Sequence, residues 1–165
     1  MLRWIFADGS TYLKHLGAAQ MALGGRAIAH GTGYMLDDYS AGAFWLPPGV
    51  GIDDEAMGAL IESTVPADRQ ADLAGVGEQM GTYHPQEPHW YLAVLGVDIS
   101  RQGRGLGSLL MKHTLARVDA ERLPAYLESS NPRNIPFYER HGFEVIGRIQ
   151  SGATPVVTPM LRRGR

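Results

Sequence analysis

Apolar positions along the chain fall into two rhythms, one helical and one of short β runs. Tyr12, Leu16, Ala19 and Leu23 recur at the three-to-four spacing of a helix face, which predicts a helix over residues 10–23 with Ser10 as its cap and Gly24-Gly25 as its stop. Arg26 to His30 and Gly33 to Leu36 are short apolar runs around Gly31-Thr32 and read as strand material. Ala41 to Leu46 reads as a further strand, halted by Pro47-Pro48-Gly49 because proline cannot donate to a ladder. Asp53-Asp54-Glu55 opens a helix through about Ser63, with acidic residues at the positive end of its dipole. A second helical stretch runs from Ala67 to Met80, weakened by Gly75 and Gly77, and His84-Pro85-Gln86-Glu87-Pro88 is a rigid connector.

The second half is patterned more sharply. Trp90 to Val97 is a continuous apolar strand of the kind buried on both faces. A segment rich in glycine and arginine follows, Ser100 to Gly107. Next comes a helix over Ser108 to Glu121, with Leu110, Thr114, Leu115 and Val118 on one face. Ala125 to Glu128 predicts a strand, Asn131 to Arg140 a helix entered through prolines and capped by Gly142, and Phe143 to Ile149 and Val156 to Leu161 the closing strands. Alternating strands and helices followed by paired strands predict an α/β or α+β fold on a mixed sheet.

Composition narrows the class. The 165 residues suit one domain, 1–165, and the 44% apolar content is that of a folded globular chain. With no cysteine, a disulfide scaffold, a Cys-based zinc site and a thiol nucleophile are excluded. No apolar run is long enough to span a bilayer, and Asp8 comes too early for a secretory signal, so no membrane partner and a cytoplasmic location are expected. The formal net charge of −2 hides an asymmetry: residues 1–86 carry 4 basic and 10 acidic side chains, and residues 87–165 carry 11 and 7. Neither half has the dense basic run of a nucleic-acid binder, but the basic half suits a small phosphorylated ligand.

Gln102-Gly103-Arg104-Gly105-Leu106-Gly107 lies between the buried strand and the helix that Ser108 opens. Its glycines let backbone approach a ligand, and successive N–H groups ending at a helix N-terminus make an anion cradle. A dinucleotide fingerprint would need glycine at Ser108, and a Walker loop would need Gly-Lys-Ser/Thr, so neither applies. Gly96, inside the strand Leu95-Gly96-Val97, suggests a bulge that splays the strand from its neighbour. The freed N–H and C=O groups could pair with an extended amide-bearing ligand. Pantetheine, with two amides and a pyrophosphate at its far end, has that shape. Downstream, Tyr138 falls two helical turns beyond Asn131. The phenol can protonate a leaving thiolate and Asn131 can bond a pantetheine amide, against the plainer roles of core aromatic and helix cap.

These segments resemble a known family. Gln102 to Gly107 is similar to the Q/R-x-x-G-x-G/A motif of GCN5-related N-acetyltransferases (GNAT), and Asn131, Phe137-Tyr138 and Gly142-Phe143 to their downstream N…FY…GF segment. More narrowly, residues 87–161, with the run Pro124 to Asn134, resemble the puromycin N-acetyltransferase-like branch. In the first half only Phe44 to Gly49 looks familial. The resemblance implies a mixed, mostly antiparallel sheet with a splayed strand pair as acyl-CoA cleft, acetyl-CoA as co-substrate, direct transfer to an amine, and no metal. It divides the chain into an acceptor side, 1–86, and an acetyl-CoA-binding core, 87–165. Met1 to Phe6 is similar to the tail of the family's first helix, so the resemblance implies that the opening strand and helix are missing. Either the chain starts late or a second subunit, as in a homodimer, covers the exposed edge.

The expected donor site is Leu95, Gly96, Val97, Gln102, Gly103, Arg104, Gly105, Leu106, Gly107, Ser108, Asn131 and Tyr138, with Tyr138 also catalytic. Glu128, at the end of its strand, is the expected general base, with Glu87, His84 and His89 as alternatives. Trp45, Trp90 and Tyr91 are candidate walls of an acceptor pocket. No His/Asp/Glu spacing suggests a metal site, and Ser108 lacks the partners of a hydrolase. The expected function is acetyl transfer to the primary amine of a small molecule. A non-catalytic acyl-CoA-binding module and a protein or peptide acetyltransferase are the alternatives.

Overall fold

The two tryptophan-bearing strands lie side by side inside a six-stranded sheet in the computed structural model, which describes residues 1–6 and 8–164. The strands are β1 (Gly33–Met35), β2 (Ala41–Leu46), β3 (Trp90–Val97), β4 (Ala125–Ser129), β5 (Glu144–Val145) and β6 (Thr158–Arg162), in the order β1-β2-β3-β4-β6-β5. Only the β3–β4 pair is parallel. The helices are α1 (Leu2–Ile5), α2 (Gly9–Gly24), α3 (Arg26–Ala29), α4 (Asp54–Thr64), α5 (Ala67–Tyr83), α6 (Leu106–Glu121) and α7 (Ile135–Glu139). Among the described residues no strand precedes β1, and Leu2–Ile5 is helical.

Period-two alternation sorts the strand side chains between two faces. On one face α6 presses Leu110, Met111, Leu115 and Val118 onto Ala41, Ala43, Trp45, Trp90, Leu92, Ala125 and Leu127. Each indole removes roughly 200 Å² from water, worth up to about 5 kcal/mol. The other face carries Leu46, Tyr91 and Tyr126 with Ala27 of α3, and α2 crosses it.

Three expectations are corrected. Residues 26–30 form a helical turn rather than a strand: Gly25 stays in the right-handed helical region and Ile28 donates to its carbonyl at 3.0 Å. The Gly24-Gly25 pair still ends α2, with Gly25 as its C-cap, and Gly24 has a second role. It allows close approach, because a Cβ there would lie 2.6 Å from the Phe44 ring. The cap of α2 is Asp8, which accepts from the Thr11 N–H at 2.7 Å, while Ser10 only donates its hydroxyl to that carboxylate. Residues 131–140 split into a 3-10 turn (Pro132–Asn134) and the short α7, with Asn131 capping the turn through a 3.1 Å bond from the Arg133 N–H.

The splay itself lies where the family resemblance implies it, but its cause differs. Gly96 sits in register opposite Gly42. The irregularity falls between Phe44 and Trp45, which oppose Val94 and Leu92, so Ala93 is the extra residue. β3 pairs with β4 only at Trp90↔Ala125 and Tyr91↔Tyr126. Beyond those pairs the two strands diverge, β3 following β2 and β4 following β6. β3 is fully buried only over its first three residues, because the remainder borders this gap.

Candidate active site

The glycine segment turns the chain from β3 into α6. Asp98 caps a 3-10 turn (Ile99–Arg101) by accepting from the Ser100 N–H at 2.7 Å and its hydroxyl at 2.6 Å, bonds that hold its carboxyl below the usual range. Gly103 and Gly105 then take φ of +77° and +82°, the left-handed region that disfavours side chains. The first N–H groups of α6, from Leu106 onward, have no intrahelical acceptor and point out of the helix end.

The alternation of β3 aims backbone at the same place. Asp98 N–H donates to the Ser40 carbonyl of the β2 side at 2.8 Å. Two-residue periodicity therefore turns the N–H and C=O of Val97 and Leu95 away from β2, into the gap toward β4. The bulge at Ala93 sets this phase. Gln102 Nε2 donates to the Val97 carbonyl at 3.2 Å and ties the loop to the strand.

Loop, strand and helix end enclose a cavity of about 570 Å³. Of the expected donor-site residues, Leu95, Gly96, Val97, Gln102, Gly103, Gly105, Leu106, Gly107, Ser108 and Tyr138 line it, while Arg104 and Asn131 do not. Arg101, Asn134, Phe137 and Arg140 also line it. The α7 contributors were missed because Phe137 and Arg140 lie on a turn whose facing partner is set by packing. Among the described residues two guanidinium groups, Arg101 and Arg140, thus flank an array of backbone donors. This is the environment a pyrophosphate requires.

A second cavity of about 550 Å³ opens on the other side of Tyr138. Its walls come from α1, α2, α4, α5, β3, β4 and α7 and are mainly apolar, with Leu23, Met57, Ile61, Leu73, Val76 and Met80 among them. Its charged side chains are Asp54 and Glu128. Asn131 and Tyr91 line this cavity, whereas Trp45 and Trp90 line neither. Both indoles are 0% exposed, packed under α6, and Trp90 Nε1 donates to Glu121 Oε2 at 2.7 Å. Alternation assigns them to the core face, where an acceptor has no access, so they are not pocket walls.

Leu95, Asn134 and Tyr138 line both cavities. Burial pushes the Tyr138 hydroxyl up to about 12, so it holds its proton throughout the neutral range. Glu128 follows Tyr126 by two positions and so shares its face of β4, opposite the splay. The Tyr91 hydroxyl donates to Glu128 Oε2 at 2.6 Å, and burial together with that carboxylate holds the Tyr91 pKa well up. The two connector histidines close around the same group, with His84 Nδ1 at 3.9 Å from Glu128 Oε1 and His89 hydrogen-bonded to His84. Glu87 enters this cluster through its backbone carbonyl, which His89 Nδ1 approaches at 2.8 Å, and through the charge of its carboxylate beside His89.

Fold and site together set a cavity lined by backbone and flanked by guanidinium groups in a splayed sheet, beside a second chamber sharing one tyrosine. The sequence matches the Acetyltransferase (GNAT) family over residues 29–143, and the chain belongs to that family. A mycothiol acetyltransferase of Mycobacteroides abscessus is 38% identical over 80 residues, 47% of this chain and 23% of that protein. An uncharacterized N-acetyltransferase of Schizosaccharomyces pombe is 44% identical over 54 residues, 33% of this chain and 22% of the relative. The match thus spans less than a quarter of either curated relative. In fold, the chain resembles a structure described as histone acetyltransferase HPA2 and related acetyltransferase from Corynebacterium glutamicum, with a TM-score of 0.57 and 23% identity over 99% of this chain and 87% of that one. Naa20 of Chaetomium thermophilum, solved with a bisubstrate analogue, superposes with a TM-score of 0.50 and 13% identity over 80% of this chain and 64% of that one.

Proposed function

We propose that this protein is an acetyl-CoA-dependent N-acetyltransferase that acts on the primary amine of a small molecule. The observation that carries the reading is the shared wall: Tyr138 borders both the glycine-loop cavity and the apolar cavity, where β3 and β4 part. The residues of the first cavity fit the donor. Backbone N–H groups at the start of α6, with Arg101 and Arg140, suit its pyrophosphate, and the unpaired edge of β3 suits its amides. Bound there, acetyl-CoA supplies an activated acetyl thioester.

The chain's own groups divide the remaining work. The second cavity holds the acceptor next to the thioester, which removes much of the entropic barrier to attack. Glu128 removes a proton from the acceptor ammonium group, and the N–H of Leu95 or Val97, both turned into the gap, donates to the developing oxyanion. Tyr138, kept protonated by burial, presents its hydroxyl hydrogen to the sulfur. Apolar walls with Asp54 and Glu128 as the charged side chains favour a cationic amine on an apolar body.

The test measures free CoA released from acetyl-CoA with puromycin, spermidine, an aminoglycoside and an amino acid as acceptors, at two salt concentrations. Puromycin enters because of the likeness to that branch. Release stimulated most by an amine with an apolar body supports the reading. Binding of acetyl-CoA without stimulation by any amine would make the chain a non-catalytic acyl-CoA module. Strong competition by peptides with free N-termini would make it a peptide acetyltransferase.

A further inference from the structure

Glu128 is unusually enclosed for a base. Its side chain is 5% exposed, and its Oε1 is buried with no hydrogen-bond partner among the described residues. A buried acceptor left without a donor costs about 1–3 kcal/mol or more. The ring nitrogen that faces Oε1, His84 Nδ1, stops 3.9 Å away.

What each histidine nitrogen touches assigns the hydrogens. His89 Nδ1 lies 2.8 Å from the backbone carbonyl oxygen of Glu87. A carbonyl only accepts, so Nδ1 carries the hydrogen. Burial lowers the His89 pKa, which keeps the ring neutral and leaves a lone pair on Nε2. That nitrogen is 3.0 Å from His84 Nε2, so His84 Nε2 must be the donor. A neutral His84 with its hydrogen on Nε2 turns a bare lone pair at Nδ1 toward Glu128 Oε1. Two acceptors then face each other 3.9 Å apart with no hydrogen between them, beside the Tyr126 hydroxyl, which is itself buried without a hydrogen-bond partner. A proton arriving on Glu128 would give the two acceptors their hydrogen bond.

We propose that Glu128, having taken a proton from the acceptor ammonium group, hands it to His84 Nδ1, and that His89 is the positioning residue that holds His84 in the receiving tautomer. The inference rests on Glu128 being the base. In the first step an N–H bond of the ammonium group breaks as Oε1–H forms. In the second, that O–H bond breaks as Nδ1–H forms, returning Glu128 to a carboxylate and making His84 an imidazolium. The imidazolium then loses the Nδ1 proton to water, as that N–H bond breaks and hydronium forms, reached through a side chain that is 37% exposed. The Nε2–H form returns because His89 accepts only there. The groups around the pair do not take the proton, since the Tyr91 hydroxyl donates to the Glu128 carboxylate, whose charge adds to burial in keeping the Tyr126 hydroxyl protonated. The Tyr91 and Tyr126 rings stand edge-on to His84 at 5.2 and 4.9 Å, burial holds both hydroxyls protonated, Tyr83 lies beyond Tyr126, and Glu87 is beside His89.

The test is a histidine side-chain nitrogen NMR titration of the full chain, paired with kinetics using the fastest acceptor of the amine panel. Above the histidine titrations, His89 is expected as the Nδ1–H tautomer and His84 as the Nε2–H tautomer. kcat/KM should fall on the acid side with the same midpoint as the His84 signal, because a protonated Nδ1 cannot accept. His84→Gln keeps a donor for His89 but removes the receiving base. It should abolish that acid limb and lower kcat roughly tenfold or more with an unchanged Tm. An Nδ1–H tautomer at His84 in the wild-type protein would overturn the relay, whatever the variants do. A crippled Glu128→Gln beside a His84→Gln that retains rate and acid limb would overturn the relay alone. Wild-type kcat in Glu128→Gln would overturn the base assignment itself.

Discussion

The two cavities meet at one tyrosine yet are made from different materials. The first is built largely of backbone: the N–H groups at the head of α6, the two left-handed glycines and the free edge of β3. Its parts come from residues 95–108 and one short helix. The second is built of side chains from seven elements spread over residues 1–157. A backbone-made site recognises what every donor of its class shares, a pyrophosphate and amides. A side-chain site can be re-lined one residue at a time without touching the sheet, so the acceptor's identity resides there.

That contrast can be broken most sharply at the shared wall. Tyr138→Phe keeps the ring and removes only the hydroxyl, so kcat should fall by about 10²–10⁴ while acetyl-CoA affinity and Tm stay near wild type. Near-normal kcat in a folded variant would show that another group delivers the proton. Because burial places the hydroxyl at about 12, a fall in kcat from its deprotonation belongs only at strongly alkaline pH.

Gly105→Val is expected to act on both affinity and fold. At φ +82° a β-branched residue is strained by about 1–3 kcal/mol, so weaker acetyl-CoA binding should come with a lower melting temperature. The strain makes it a poor probe of the phosphate contact by itself. Ser108→Asp separates the two effects. A carboxylate in the first turn of α6 favours the helix by about 0.3–1 kcal/mol but repels phosphate, so acetyl-CoA Kd should rise roughly thirtyfold, about 2 kcal/mol, with stability kept. Unchanged Kd by calorimetry would place the pyrophosphate elsewhere. The smallest effect belongs to the second chamber. Met57→Trp should narrow it and raise amine KM about three- to tenfold, roughly 0.7–1.4 kcal/mol, leaving acetyl-CoA Kd unchanged. A matching loss of donor affinity would mean that the two cavities are not separable.

The corrections found in the fold follow from the same division. Residues 26–30 read as a strand because a four-residue apolar run has no decisive period, and the packing of Ala27 under Leu46 and Tyr126 settled it as a helical turn. The bulge was assigned to Gly96 on the residue type, whereas the register of β2 against β3 places it at Ala93. Trp45 and Trp90 read as pocket walls because aromatic residues serve both roles, and strand phase turned them into the α6 core. His84 and His89 were visible as a pair bracketing prolines, but their order along a hydrogen-bonded line to Glu128 needed the connector folded against β4.

Local chemistry by itself determined the elements whose causes lie within a few residues. The turn at Gly103 and Gly105, the caps at Asp53 and Asn131, the αL stop at Gly142 and the apolar stripe of α6 were all legible from spacing and residue type. Contacts between residues far apart in the chain were decided only in the tertiary structure: the phase of β3 against β2, the divergence from β4, and the closure of α4 and α5 over the second chamber. The physical reason is the range of the forces involved. Backbone dihedral preference and capping act within one turn of chain, whereas strand register and cavity shape minimise the exposed apolar surface of the whole assembly at once.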